Sequence, residues 1–425
     1  MTVYTDRIKT FVTQTLASDF VRKVMETFAT RIFLILLSLA TTVIVTRILG
    51  PEGRGLYAVA VAIGAIGVQF GNLGLHASNT YYVAQDRSRL PALLGNTLVI
   101  SFLVGSLGSG LAWCVFIVRP ELAPLNGNLL ILALIWIPVG LTYLLVQNLL
   151  IGIQEIRTYN LIEIVTKIIS VILIALFILM EFVTVESIFT IGLVTLIIGL
   201  AWSIIMLNNH LTYFPKLSFD LFKGSIRYGF KAYLAAFFAF MVLKVDLLMV
   251  QYMLGPEQAG YYSIAASLAD MVYMLPVVVG TILFPKLSEL DDPEQKWRIA
   301  RKSAYSIFFI MTVVTVISAL LSGTIIKILF GSDFEPSVSA FIWLMPGVLF
   351  ISVNTIFMNY FGSLGMPAIV VYSPAFASVI NILCNYELIP KFGIIGASIS
   401  SLISYGLMLF FSLIFQCIRS INFVK

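Results

Sequence analysis

The sequence predicts an all-α integral membrane protein of about twelve transmembrane helices, arranged as two six-helix bundles related by a pseudo-two-fold axis along the membrane normal. Three observations carry this. The 425 residues are 60% hydrophobic and only 11% charged, about half the charged share of soluble proteins. A soluble domain of this length could not hide that much apolar surface, whereas a bilayer can. The apolar residues fall into twelve blocks, each long enough to cross it. Finally, the polar loop LGPEGRGLY at Leu49–Tyr57 returns 205 positions later as LGPEQAGYY at Leu254–Tyr262.

The elements follow in order. Asp6, Arg7, Lys9, Asp19, Arg22, Lys23 and Glu26 leave no apolar core for a cleavable signal peptide. Ile8, Val12, Leu16, Val24 and Phe28 share one helical face, with Phe11, Val21 and Met25 beside it. Residues 1–27 therefore read as an amphipathic helix on the membrane surface, the alternative being a solvated extension. Spans are expected near 28–48, 56–76, 93–117, 128–150, 159–180, 186–207, 229–252, 259–283, 304–322, 338–360, 367–387 and 393–416. This gives a first bundle at 28–207, a cytoplasmic linker at 208–228 and a second bundle at 229–425. The longest connections are expected near 208–228 and 284–303, too short for a separate soluble domain.

Basic residues orient the chain. With the N-terminus in the cytoplasm, only Arg47, Arg54, Arg119, Lys327 and Lys391 face outward, and Lys167 and Lys244 lie within spans. The remainder of the 26 Lys and Arg residues lie on the cytoplasmic side. Both termini are therefore expected to be cytoplasmic. A net charge of +5 reflects this asymmetry and implies no nucleic-acid partner. Cys114, Cys384 and Cys417 are scattered in apolar runs, with neither a disulfide framework nor metal spacing.

The repeat extends beyond one loop. LIWIPVGL at Leu134–Leu141 is echoed by FIWLMPGVL at Phe341–Leu349, and NLLIG at Asn148–Gly152 by NYFGS at Asn359–Ser363. Arg22 before the first span matches Arg227 before the seventh. An even number of spans per unit brings both copies in from the same side, so the axis relating them runs along the membrane normal. In the repeated loop, Gly50 and Gly255 end a helix where positive φ is common. Pro51 and Pro256 suit a turn or a new first turn, and Gly55 and Gly260 permit close backbone approach. Tyr57 and Tyr262 are expected at interface depth. The loop reads as a helix–helix turn. Substrate contact, the other reading, would run through Arg54, which the second copy replaces with Ala259.

Charges inside spans are costly and need partners or a wet cavity. Glu163 and Lys167 are spaced to pair along one helix. Lys244 and Asp246 are two apart and cannot simply pair. Their first-half counterparts are Leu39 and Thr41, so the shared architecture does not require them. Lys244 is a candidate to attract a diphosphate or anionic sugar. Asp246 is a candidate H⁺ or Na⁺ site or a structural counter-charge. Asp270, with Ala65 as its counterpart, is similar. Arg31 either snorkels to headgroups or contacts phosphate. Asn72, His76 and Asn79 form a polar stripe that either caps and bonds neighbouring helices or titrates through His76. Gly105, Gly108 and Gly110 are expected to allow close helix packing. No catalytic, cofactor or metal residue is predicted, and no G-x-x-x-x-G-K-[ST] phosphate loop is present.

TRILGPEGRGLYAVA after the first span and KVDLLMVQYMLGPEQAGYYSIAASL through the seventh and eighth resemble polysaccharide transporters. These are the bacterial flippases for lipid-linked oligosaccharides, in the superfamily of multidrug-and-toxin extruders and lipid II flippases. The resemblance covers essentially the whole chain. It implies a MATE-like fold with a central cavity between the bundles. It also implies transfer of an isoprenoid-diphosphate-linked oligosaccharide (an O-antigen, capsule or exopolysaccharide repeat unit) across the bacterial inner membrane by alternating access. The expected partners are that substrate, the bilayer and other polysaccharide-assembly membrane proteins, with H⁺ or Na⁺ as coupling ion. It brings no invariant catalytic residue onto this sequence. Two alternatives stand: a multidrug–cation antiporter, whose cavity should be acidic, and a membrane glycan polymerase or ligase. The latter needs polar catalytic groups in sizeable outer loops, which are short here.

Overall fold

The computed structural model describes residues 19–211 and 213–424, with side-chain surroundings for 33–211 and 213–420. Residues 1–18 of the proposed helix at 1–27 and the side chain of Arg31 therefore lie outside the described residues, while 19–27 are helical and continuous with the first span. Twelve α-helices are described: α1 Asp19–Gly71, α2 Leu75–Gln85, α3 Leu90–Val118, α4 Gly127–Gly152, α5 Ile156–Leu179, α6 Val185–Asn208, α7 Phe219–Leu254, α8 Pro256–Ser288, α9 Pro293–Phe330, α10 Ser337–Ser363, α11 Ile369–Phe392 and α12 Ile394–Val424. Eleven stretches are long and apolar enough to cross a membrane. The first contains a kink at Gly50, where φ is 66° and ψ −177°. That kink divides α1 into two arms and brings the crossings to twelve.

The helices outrun the apolar blocks that announced them. Residues 284–303, expected as a long connection, are helical except for Glu289–Asp292, and Phe219 already opens α7. Apolarity marks where a helix meets lipid, whereas its backbone hydrogen bonds continue into the polar interface. The second span departs in the other direction. It breaks at Asn72–Gly74, where Leu73 (φ 49°) and Gly74 (φ 81°) are left-handed, and resumes as α2 to Gln85.

Each half packs around its fourth span. α4 and α10 are the most enclosed helices, each 61% buried over its most apolar stretch. Both run through an internal proline, Pro138 and Pro346. Asn148 and Asn359 make the same bond, each amide donating to the carbonyl four residues back at 2.8 Å. The tryptophan echo diverges: Trp136 packs on Gly64, whereas Trp343 is exposed. The largest apolar core joins the two halves at the end carrying Gly50 and Gly255, through Val59, Ala60, Ala259, Tyr262 and Ile264, and α7 also packs Phe222 and Ile226 on Leu75, Leu141 and Leu145. The Gly50/Gly255 end is called the seam end below, and the opposite end, where most Lys and Arg residues lie, the basic end. At the basic end Val83, Leu90, Leu93 and Leu149 of the first half form a separate cluster.

The glycine stripe of α3 splits into two cases. A Cβ on Gly105 would lie 2.5 Å from Pro138 Cα, while Gly108 and Gly110 have nothing within 4 Å. Only Gly105 serves helix packing. Gly105→Ala is expected to cost about 1–3 kcal/mol through overpacking, read as lowered thermal stability in detergent. Gly108→Ala should match or exceed the parent, because alanine favours helix by about 1 kcal/mol.

Candidate functional site

The repeated loop is where the two halves meet. Gly50 and Gly255 adopt one conformation, φ 66° and 87° with ψ −177° and 179°. Each stops one helix and lets proline start the next. This sets Gly55 against the first turn of α8 and Gly260 against the first turn of α1's second arm. A Cβ on Gly55 would lie 1.8 Å from Pro256 O, and one on Gly260 1.9 Å from Pro51 O. The contact is reciprocal, as between surfaces related by a two-fold. The motif is therefore written twice because its copies pack against each other.

Arg54 breaks this symmetry. It is 7% exposed. Its guanidinium crosses to the second half, donating to Ser263 Oγ and Ser267 Oγ, each at 3.2 Å, and it lies over the Tyr57 ring. The counterparts of those serines are Ala58 and Ala62, and that of Arg54 is Ala259. The arginine and its two receiving hydroxyls thus appear together. Further bonds tie the same end. Arg47 donates to Leu329 O at 2.8 Å and also to Ile328 O. Gln251 donates to Pro124 O at 3.1 Å. At the basic end one flank is also closed: Gly74 meets Gly229, Tyr81 stacks on Tyr228 at 4.1 Å, and Tyr233 donates to Phe70 O at 2.9 Å.

Lys244 and Asp270, expected separately, come together. The ammonium lies 2.6 Å from Asp270 Oδ2, joining α7 to α8, and both side chains keep substantial exposure, 32% and 47%. Lys244 is ten residues from the end of α7, about 15 Å along a helix, so the pair faces open space near mid-depth of the span. Lys244 is thus not a lone cation: Asp270 is its ion-pair partner.

Asp246 points the other way, into the second bundle, and is 2% exposed. Its partners are neutral. Tyr262 donates to Oδ2 at 2.9 Å, Ser401 also donates to Oδ2, and Asn385 Nδ2 donates to Oδ1 at 3.0 Å. Asn385 Nδ2 also reaches Asn381 Oδ1 at 2.9 Å. Four helices, α7, α8, α11 and α12, supply this cluster. Asn385 Oδ1 and Asn381 Nδ2 remain without partners. Tyr262 is therefore not the interface ring that its position in the loop predicted: it is buried and serves Asp246. Its counterpart Tyr57 packs on Phe189.

The remaining candidates bond to neighbours within the first half. Asn72 Oδ1 accepts from His76 N at 3.2 Å and the Asn72 amide group contacts the His76 ring, so the pair caps α2 at the helix break. Asn79 donates to Thr97 Oγ1 at 2.8 Å. Glu163 accepts from Tyr143 at 2.8 Å, and no ion pair joins it to Lys167 among the described residues. Four residues escaped sequence reasoning: Ser263, Ser267, Asn385 and Ser401. The serines facing Arg54 had a signal, since they replace alanines at the same offset as Arg54 replaces alanine. Asn385 and Ser401 had none, because only folding brings α11 and α12 to Asp246. Among the described residues no group of three or more His, Cys, Asp or Glu side chains could hold a metal.

Residues 20–291 match the family described as polysaccharide biosynthesis protein. A Shigella flexneri protein provisionally named an O-antigen transporter is 28% identical over 156 residues, covering 36% of this chain and 37% of that protein. The aligned stretch thus spans little more than a third of that relative. Among solved structures, a multidrug resistance MATE family transporter in its inward-facing conformation superposes with TM-score 0.71 at 15% identity, covering 91% of this chain and 94% of that one. The lipid II flippase MurJ in an inward closed conformation gives TM-score 0.65 at 16% identity, covering 89% and 87%. At these identities the structures establish the MATE-like fold.

Proposed function

The chain belongs to the polysaccharide biosynthesis protein family, and from that premise we propose that it is a flippase for isoprenoid-diphosphate-linked oligosaccharide. It acts in the bacterial inner membrane, with both termini cytoplasmic, by rocking one bundle against the other. It works as a transporter, alongside other polysaccharide-assembly membrane proteins, and not as an enzyme. The single observation that carries the proposal is the Lys244–Asp270 pair, exposed at mid-depth while the halves are sealed at the Gly50/Gly255 end. An anionic head group entering from the basic end meets a cation whose present partner can be exchanged. A diphosphate would displace Asp270 from Lys244, and opening of the seam would then release the head outward. Because the pair is neutral, cavity charge alone does not separate glycan export from multidrug–cation antiport. Family membership favours export.

Asp246 is proposed as the coupling site. Turning the Asn385 amide over would aim its unpartnered Oδ1 at Asp246 Oδ1 and Asn381 Oδ1. Three oxygens would then converge on one point, a donor set suited to Na⁺, with H⁺ on the carboxylate as the alternative.

Deleting the gene in a host that makes the glycan should leave lipid-linked repeat units on the cytoplasmic face. Units that still reach the outside, with only chain length altered, would refute the proposal. Lys244→Ala is expected to lower export at least about tenfold, as a lost charge-assisted contact costs about 1.5–3 kcal/mol, with membrane insertion intact. The reversed pair Lys244→Asp/Asp270→Lys separates roles. Restored export would mean that only the ion pair matters, and continued loss that the cation must stand on α7.

A further inference from the structure

The two halves differ in how the basic end of their third span is covered. In the first half the buried start of α3 lies under the chain that joins the bundles. Lys216 N donates to Pro91 O at 3.2 Å, Asn96 Nδ2 donates to Ser218 O at 2.8 Å, and Ser218 N donates to Asn96 Oδ1 at 2.9 Å. Gly95 is so close to that strap that a Cβ would lie 2.4 Å from Lys216 O. In the second half the counterparts of Pro91 and Gly95, Lys296 and Ala300, are buried, whereas the counterpart of Asn96, Arg301, stays exposed. The outward face of this end of α9 is an exposed stripe of Arg298, Arg301, Lys302, Tyr305, Ser306 and Phe309.

This face has one sign of charge. Arg298, Arg301 and Lys302 form no ion pair with any described residue. Their neighbour Lys296 is committed inward, donating to Ser363 O at 3.2 Å at the end of α10. Beyond Tyr305 the same side of α9 turns apolar and stays exposed through Phe309, Val313, Val316 and Leu320. Lys302 and Lys327 are separated by about 37 Å of helix, slightly more than the roughly 30 Å hydrocarbon layer. Lys302 therefore sits at headgroup level, Tyr305 at the interface, and the apolar stripe against acyl chains.

We propose that this helix face is a binding site for an anionic glycerophospholipid of the inner leaflet. Its phosphate is held by the three cations, and its chains lie along the α9 stripe. Arginine forks match phosphate oxygens. The orientation rests on the topology proposed above. The site itself does not depend on what is transported.

The test uses the full-length protein in detergent, with phosphatidylglycerol, phosphatidylcholine or inorganic phosphate as probes. Retained lipid is counted by native mass spectrometry, and protection against heat is measured beside it. Phosphatidylglycerol is expected to bind in preference to phosphatidylcholine. Binding should fall about a hundredfold in the triple variant Arg298→Ala/Arg301→Ala/Lys302→Ala, from the usual gain per basic residue near anionic lipid. The exposed pair Arg119→Ala/Lys391→Ala, at the other end, should leave it unchanged. Equal binding of the two lipids, or an unaltered triple variant, would overturn the proposal. Full protection by inorganic phosphate would also overturn it, marking a free-anion site. An isoprenyl diphosphate that displaces phosphatidylglycerol at equimolar concentration would overturn it as well, reassigning this face to substrate.

Discussion

Alanine in place of Gly260 is expected to force the seam open. The added Cβ would stand 1.9 Å from Pro51 O and 3.2 Å from Gly55 N. Both neighbours are backbone, so no side chain can swing aside. Relief requires the first turn of α8 to withdraw from α1 by more than an ångström, and the same displacement separates Arg54 from Ser263 and Ser267. Packed interfaces are bistable and do not yield gradually, so the result is a shift toward the state with this end open. Moving such an equilibrium from 1:99 to 99:1 takes about 5.5 kcal/mol, within reach of a backbone clash this deep. Ser263→Cys, in a chain lacking Cys114, Cys384 and Cys417, reports the change through a membrane-impermeant thiol reagent. Labelling from outside should rise at least about tenfold with Gly260→Ala and equally with Gly55→Ala. Gly108→Ala, with nothing within 4 Å of its Cβ, should not alter it. Unchanged labelling in the seam variants would mean that the loops are not the contact that holds this end shut.

The extent to which this was legible in the sequence follows from where each signal resides. The fold class was written in apolar blocks and a repeat, both of which survive in one dimension. The seam was half written. Gly55 and Gly260 announced close approach, but nothing in one loop says that its neighbour is the other copy. Lys244 and Asp246 stood out because charge inside a span is rare. Their partners did not: Asp270 lies on the next helix and Asn385 and Ser401 about 140 and 155 positions away. The Asn72–Gly74 break was misread because apolar and small residues there continue the pattern of a span. The left-handed Leu73 and Gly74 reveal that the helix stops. Helix-periodic pairing also misled at Glu163 and Lys167, because a tyrosine on α4 supplies a shorter bond than the same-helix lysine.

Asp246 carries the second large expectation, and its two simplest substitutions should part company. Asp246→Ala removes the acceptor of Tyr262, Ser401 and Asn385 at once, and each buried donor left unpaired costs about 1–3 kcal/mol. Water entering the vacated space recovers some of this. A clear drop in thermal stability is expected, with transport lost as a consequence. Asp246→Asn keeps the volume. Its carbonyl can still accept from Tyr262 and Ser401, and its amide then faces Asn385. Turning the Asn385 and Asn381 amides over together lets Asn385 Oδ1 accept from the new amide and from Asn381 Nδ2, so the neutral variant keeps the parent's number of bonds in this cluster. Stability near that of the parent is therefore expected. What Asp246→Asn lacks is the charge. If the carboxylate binds the coupling ion, proteoliposomes carrying this variant should lose the dependence of transport on a Na⁺ or H⁺ gradient while keeping any downhill exchange. If Asp246 is only a structural acceptor, the Asn variant should retain gradient dependence in full, and that result would end the coupling proposal. A folded, gradient-blind Asn variant beside an unstable Ala variant is the pattern that the four-helix cluster predicts.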